Sequence, residues 1–179
     1  VPADAGKILL PLARDAIQTT LLEQADPVIP EATSWLQEEG ASFVTLTENA
    51  NLRGCIGSLE EYRPLGRDVI ENARSAAFQD PRFPAVTQTE LPAIQIEVSV
   101  LSPRVTLQAG SEAEVISQLK PQVSGVVINA GYARATFLPQ VWEQLPDPRE
   151  FLAHLKMKAG LPASWWDPGA QVQTYTVTA

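Results

Sequence analysis

The residues best suited to chemistry lie together in Leu52-Arg53-Gly54-Cys55-Ile56-Gly57. The segment holds the chain's one cysteine, set between two glycines, with an arginine two residues before it. A thiolate is both a nucleophile and a soft ligand, and a guanidinium beside a thiol favours that form. Glycines leave room beside the sulfur, and the backbone amides near them can meet an anion or a carbonyl oxygen. In a regular strand Arg53, Cys55 and Gly57 share one face, while Leu52, Gly54 and Ile56 take the other, with Leu52 and Ile56 toward the core. On this reading Cys55 is nucleophile or thiol ligand and Arg53 its anion partner. Gly54, Ile56 and Gly57 line the ligand, and nearby amides are oxyanion donors. The spacing predicts that iodoacetamide alkylates Cys55 faster than a free thiol at neutral pH. The same segment also reads as a small packed cysteine whose glycines serve close strand packing.

Three further side chains are candidates for a ligand site. Glu97 stands on the polar face of an alternating strand and can pair with Arg53 if the strands are neighbours. Arg82, between two prolines, can hold a phosphate or carboxylate, or bond nearby carbonyls. Arg134 enters a strand beside Gly131 and Tyr132 and can line a cleft. Trp142, Trp165 and Trp166 read as core or lobe contacts and not as a ligand platform. The single histidine, His154, shares a polar helical stripe with Glu150 and Lys158, which argues against a Cys–His dyad. One histidine and one cysteine cannot build a His/Cys zinc site. No Asp/Glu cluster has recognisable metal spacing, and no phosphate-cradling glycine loop occurs. No cofactor is implied.

The elements that must position these residues follow from periodicity. Apolar residues recur at four-residue spacing through 4–24 (Leu9, Ala13, Ile17, Leu21), a helix in which Pro11 marks either the start or a kink. A short helix precedes Gly40. The alternation in 42–47, a turn at 48–51 and the cysteine segment form a hairpin. A helix over 64–79 buries Leu65, Val69, Ala73 and Ala77 and pairs Arg67 with Glu71 outside. The run 94–101 is a half-buried strand. Ser111 and Glu114 form a capping box, and Asp147-Pro148 starts the last helix, which stops at Gly160. Strands occupy 125–129, 134–138 and 172–177. Strands in hairpins, without strict strand–helix alternation, favour α+β over a doubly wound sheet. The fold expected is α+β, a mostly antiparallel, curved sheet that can be barrel-like, with flanking helices, and that can divide into two unequal lobes. The hairpin–helix–strand order recurs in the second half and hints at two related lobes.

The 179 residues, 45% apolar and 19% charged, fit one globular domain, or one domain of two lobes. A net charge of -8 opposes nucleic acid and anionic membrane surfaces as partners. No apolar run is long enough to span a bilayer, and no signal peptide is expected at residues 1–7. A lone cysteine fits a cytoplasmic protein.

The cysteine segment, followed by Ala76-Ala77-Phe78-Gln79-Asp80-Pro81-Arg82-Phe83, resembles the signature of the AMMECR-type domain family. So do the stretches 91–103, 136–142 and 158–161 with Pro162, and the pair Phe151-Leu152. The similarity covers nearly the whole chain. Asn51 stands where relatives often have a glycine-containing turn, which bears on turn type alone. The resemblance implies one α+β domain over 1–179, with two unequal lobes or a curled sheet and the motif near a cleft. In microbes such proteins are the A component of AmmeMemoRadiSam systems, beside Memo-like and radical-SAM proteins. Only the motif positions Arg53, Gly54, Cys55, Ile56 and Gly57 carry over, with no reaction attached. The function expected is a small-ligand-binding or accessory component with a small anionic ligand; the alternative is a thiol-dependent enzyme.

Overall fold

The computed structural model describes residues 1–178. The chain divides into two compact units, Val1–Leu101 with the end of the last strand, and Ser102–Val177.

In the first unit the hairpin of β1 (Ala41–Glu48) and β2 (Asn51–Gly57) forms as expected, and β3 (Ile94–Leu101) has the bounds the alternation indicates. The sheet order is β2-β1-β3-β8, with β8 being Val177–Thr178. β1 is antiparallel to both β2 and β3. Asn49 and Ala50 both have positive φ, 52° and 64°, the twist that a tight two-residue hairpin requires. Val44, Leu46 and Val98 face the helices α1 (Gly6–Leu21) and α3 (Leu65–Phe78) in one core. Ala13, Ala16, Ala73 and Ala76 are all buried, so small side chains let the two helices approach closely. α1 runs through Pro11. Pro11 is exposed, so water can serve the carbonyl whose helical donor it removes. The short helix α2 is one turn, Ser34–Gln37.

The second unit repeats the wiring. The hairpin of β5 (Gly125–Ala130) and β6 (Ala133–Phe137) is followed by α5 (Pro148–Lys158), then by β7 (Gln171–Tyr175), which returns beside β5. The order β4-β7-β5-β6, with β4 being Val105–Thr106, is the first sheet's order read from the other end. The fold is thus α+β with antiparallel sheets and flanking helices, as expected; the sheets are two, four-stranded and open, and neither closes into a barrel. Trp142 stacks on Phe151 at 3.7 Å between ring centres and donates Nε1–H to the Ser124 carbonyl at 2.7 Å, a core role as expected. α4 (Glu112–Gln118) is capped by Ser111, which accepts from the Glu114 amide, and α5 by Asp147, which accepts from Arg149. Lys156, in the last turn of α5, is fully buried. Its ammonium is held by Glu112 and the Ala163 carbonyl, the pairing a buried charge demands.

Candidate functional site

Each glycine of the motif answers a close approach. A Cβ on Gly54 would lie 2.2 Å from the Ala76 carbonyl oxygen, and one on Gly57 would lie 2.1 Å from the Phe43 ring. Gly54 thus lets α3 lie against β2, and Gly57 leaves a seat for the aromatic ring across the hairpin. Ile56 packs against the first core. Cys55, between them, is half-buried. It faces Thr45 in register, with Sγ 3.3 Å from Thr45 Oγ1. Glu97 faces Thr45 from the other side, so Cys55, Thr45 and Glu97 make one row across three strands, with Glu97 exposed at its end.

β2 is an edge strand, and its outer backbone groups at Cys55 are taken by a side-chain clamp. The amide of Cys55 donates to Asp80 Oδ2 at 3.0 Å, and Arg82 Nη2 reaches the Cys55 carbonyl at 3.4 Å. Asp80 and Arg82 are themselves joined by a two-pronged pair, Nε to Oδ1 at 3.0 Å and Nη2 to Oδ2 at 2.8 Å. The clamp stands where a further strand would pair and closes the edge against strand addition. α3 ends at Phe78, and the proline-bounded turn after it delivers both residues. Asp80 is 4% exposed. The Arg82 hydrogen bond first, with backbone donors from Cys55 and Arg82, holds its carboxyl far below the usual carboxylate range against the cost of burial. Arg82 is raised chiefly by Asp80.

A depressed folded value means that Asp80 stabilises the fold above about pH 4, the unfolded value. That contribution is lost only as the pH falls through the depressed value. Asp80→Asn, a neutral isostere, is therefore expected to cost about 2 kcal/mol at neutral pH, with the gap to the parent narrowing in strong acid. Urea midpoints at neutral and acid pH check this; a gap that stays constant with pH would contradict it.

The regular alternation expected for 52–57 breaks at Arg53. Leu46 faces Gly54 but Thr47 faces Leu52, so Arg53 is the extra residue of a β-bulge. Leu52 consequently emerges 43% exposed instead of entering the core. Arg53 turns to Glu90, with Nη2 at 2.8 Å from Oε1 and Nε at 3.2 Å from Oε2, and Glu48 lies 3.9 Å away. Arg53 holds Glu90 below the usual carboxylate range, whereas Glu48, sharing hydrogen bonding with Glu90, is pushed up. The guanidinium bonded to the cysteine's backbone is thus that of Arg82, and Arg53 pairs with Glu90 and Glu48, not with Glu97.

Two further expected groups lie in the second unit. Arg134 is on β6 opposite Asn129. His154 is exposed on α5, with its Nδ1 2.8 Å from the Glu150 carbonyl oxygen. Among the described residues no three His, Cys, Asp or Glu side chains gather as a metal site, and no helix is long and apolar enough to cross a membrane.

Sequence periodicity missed one buried network in the first unit. Asp68 on α3 accepts from the Ser42 amide and hydroxyl, Ser58 Oγ, Arg63 Nε and Asn72 Nδ2, all at 2.7–3.0 Å. Asn72 also donates to the Ser42 carbonyl at 2.9 Å. The available signal was Asp68 and Asn72 at four-residue spacing, one position before the apolar stripe Val69–Ala73.

Comparison with known proteins gives consistent matches. The sequence model of a family described as AMMECR1 matches residues 10–179. A protein of Methanothermobacter thermautotrophicus is 40% identical over 175 residues, 96% of this chain and 91% of its own length. One of Methanopyrus kandleri is 36% identical over 186 residues, 96% of this chain and 86% of its own. The crystal structure of uncharacterized protein PH0010 from Pyrococcus horikoshii superposes with a TM-score of 0.92 at 34% identity, covering 99% of this chain and 91% of that one.

Proposed function

The chain belongs to the AMMECR1 family, and from that premise we propose that it is a ligand-binding or accessory component and not a self-sufficient thiol enzyme. One observation carries this reading. The groups that would activate a thiol at Cys55 are already committed to the protein's own carboxylates. The Cys55 amide, which an oxyanion would need, is bound by Asp80. Arg53 is bound by Glu90. No imidazole belongs to residues 1–101, because the one histidine is His154.

What remains free is the outer part of Arg82, whose side chain is 55% exposed, beside the half-buried sulfur. That pair suits a small anion, with Arg82 as its charge and the motif glycines holding the backbone to shape. The setting that fits this reading, consistent with the family resemblance, is a cytoplasmic pathway shared with Memo-like and radical-SAM proteins. The alternative, a thiol enzyme with Cys55 as nucleophile and Arg53 as anion partner, draws on the partial exposure of Cys55.

Two measurements separate the readings. Iodoacetamide is expected to alkylate Cys55 no faster than a free thiol at neutral pH, the reverse of what spacing alone predicts, since a half-buried sulfur is less accessible. A folded Cys55→Ser variant is expected to sustain function in the native host. Rapid alkylation together with loss of function in that variant would favour the enzyme.

A further inference from the structure

A second concave surface lies wholly within the first unit, away from the cysteine. A groove of about 530 Å³ runs between α1 and the 24–30 segment, a volume typical of ligand sites. Its walls are partly apolar, with Ile8, Leu12, Pro27 and Val28 along them. Val28 is 87% exposed.

The polar side chains of the groove offer one carboxylate and two amide oxygens as acceptors. Asp15 is its one charged lining residue, and the amides of Gln18 and Gln24 stand beside it. α1 has no basic residue in its last turn, so the negative end of its dipole is not offset from within the helix. The neighbouring arginines are committed elsewhere. Arg14 donates to the carbonyls of Leu91 and Ile94, and Arg67 and Arg74 pair with Asp26 and Glu71. The charge of the chain is also lopsided: residues 1–101 hold seven basic and fifteen acidic side chains, while residues 102–179 hold six of each. All of the net charge of -8 therefore falls in the part that carries the groove, which draws positively charged partners to it.

We infer that this groove docks a lysine presented by a partner protein. The methylene stem lies along Ile8, Leu12 and Pro27, and the ammonium meets the carboxylate of Asp15 and the amide oxygens of Gln18 and Gln24. A long apolar stem ending in a compact three-donor cation matches this division between wall and acceptors.

The test is an amide-resolved NMR titration of the whole chain. The probes are doubly capped lysine, doubly capped norleucine (the same stem without the charge) and free pentylamine. Saturable shifts over residues 8–30 are expected with capped lysine, with norleucine weaker by about tenfold or more. Asp15→Asn, at an exposed position, should bring lysine down to the norleucine level. Equal binding of lysine and norleucine, an unchanged affinity in Asp15→Asn, or no saturable shift at all would each overturn the proposal. Pentylamine binding much more tightly than capped lysine would also overturn it, by assigning the groove to a free amine.

Discussion

Asp68→Ala is expected to destabilise the protein by about 4 kcal/mol, within the range for removing one member of a buried charged network. Asp68 is 0% exposed, and its five donors come from four places in the chain: Ser42 on β1, Ser58 just past β2, Arg63 before α3, and Asn72 on α3 itself. Its removal leaves the Ser42 amide, in a fully buried residue, without its side-chain acceptor. Arg63 can partly escape, because its side chain is 20% exposed, so its desolvation does not add in full. Asp68→Asn keeps one oxygen but turns an amide toward donors such as Asn72 Nδ2, so about half the loss is expected to remain. In a protein of this size 4 kcal/mol corresponds to a fall in melting temperature of about 10 °C. Calorimetry on the two variants gives the answer, and an alanine variant melting within about 2 °C of the parent would show that the network is dispensable.

That network also marks where sequence reading stops. The hairpin, α3 and β3 were legible because their apolar residues repeat at the period of the element itself, and the core needs only that a face be apolar. The recurrence of hairpin, helix and strand was legible for the same reason, and both sheets follow it. The bulge at Arg53 was not legible. Alternation along one strand is blind to the partner strand, and it is the register against Thr47 that inserts the extra residue. Asp80 sits 25 residues from the Cys55 amide it accepts from, so no local spacing connects them. The burial of Lys156 was not legible either, because a lysine near a helix end suits the dipole equally well inside or outside. Only Glu112, 44 positions earlier, decides between the two. Apolar burial is written in local pattern, whereas the partners of buried polar groups are chosen by the tertiary fold. At the candidate site that distinction changes the chemistry, since it moves the cysteine's guanidinium neighbour from Arg53 to Arg82.

Gly54→Ala should be nearly as damaging as the loss of Asp68, by a different route. The added methyl would sit 2.2 Å from the Ala76 carbonyl oxygen and 3.1 Å from its carbon. Both are backbone atoms in the last turn of α3, so no rotamer change relieves the clash. β2 and α3 must separate, which opens the core around Ala76 and Ala77 and pulls Asp80, just past the helix, away from the Cys55 amide. About 3 kcal/mol or more is expected, at or beyond the upper end for overpacking. Gly57→Ala is the control on the same strand. Its methyl meets the ring of Phe43 at 2.1–2.4 Å, a nominally worse overlap, but with a side chain that is only half-buried and can swing aside. A loss of about 1 kcal/mol is expected there. Chemical denaturation of the two alanine variants ranks them, and an equal or reversed order would mean that α3 yields as readily as an aromatic ring. The alkylation rate of Cys55 supplies a second readout. Gly54→Ala should raise it, because the clamp that fixes the cysteine's backbone hangs from the end of the displaced helix, while Gly57→Ala leaves that clamp in place.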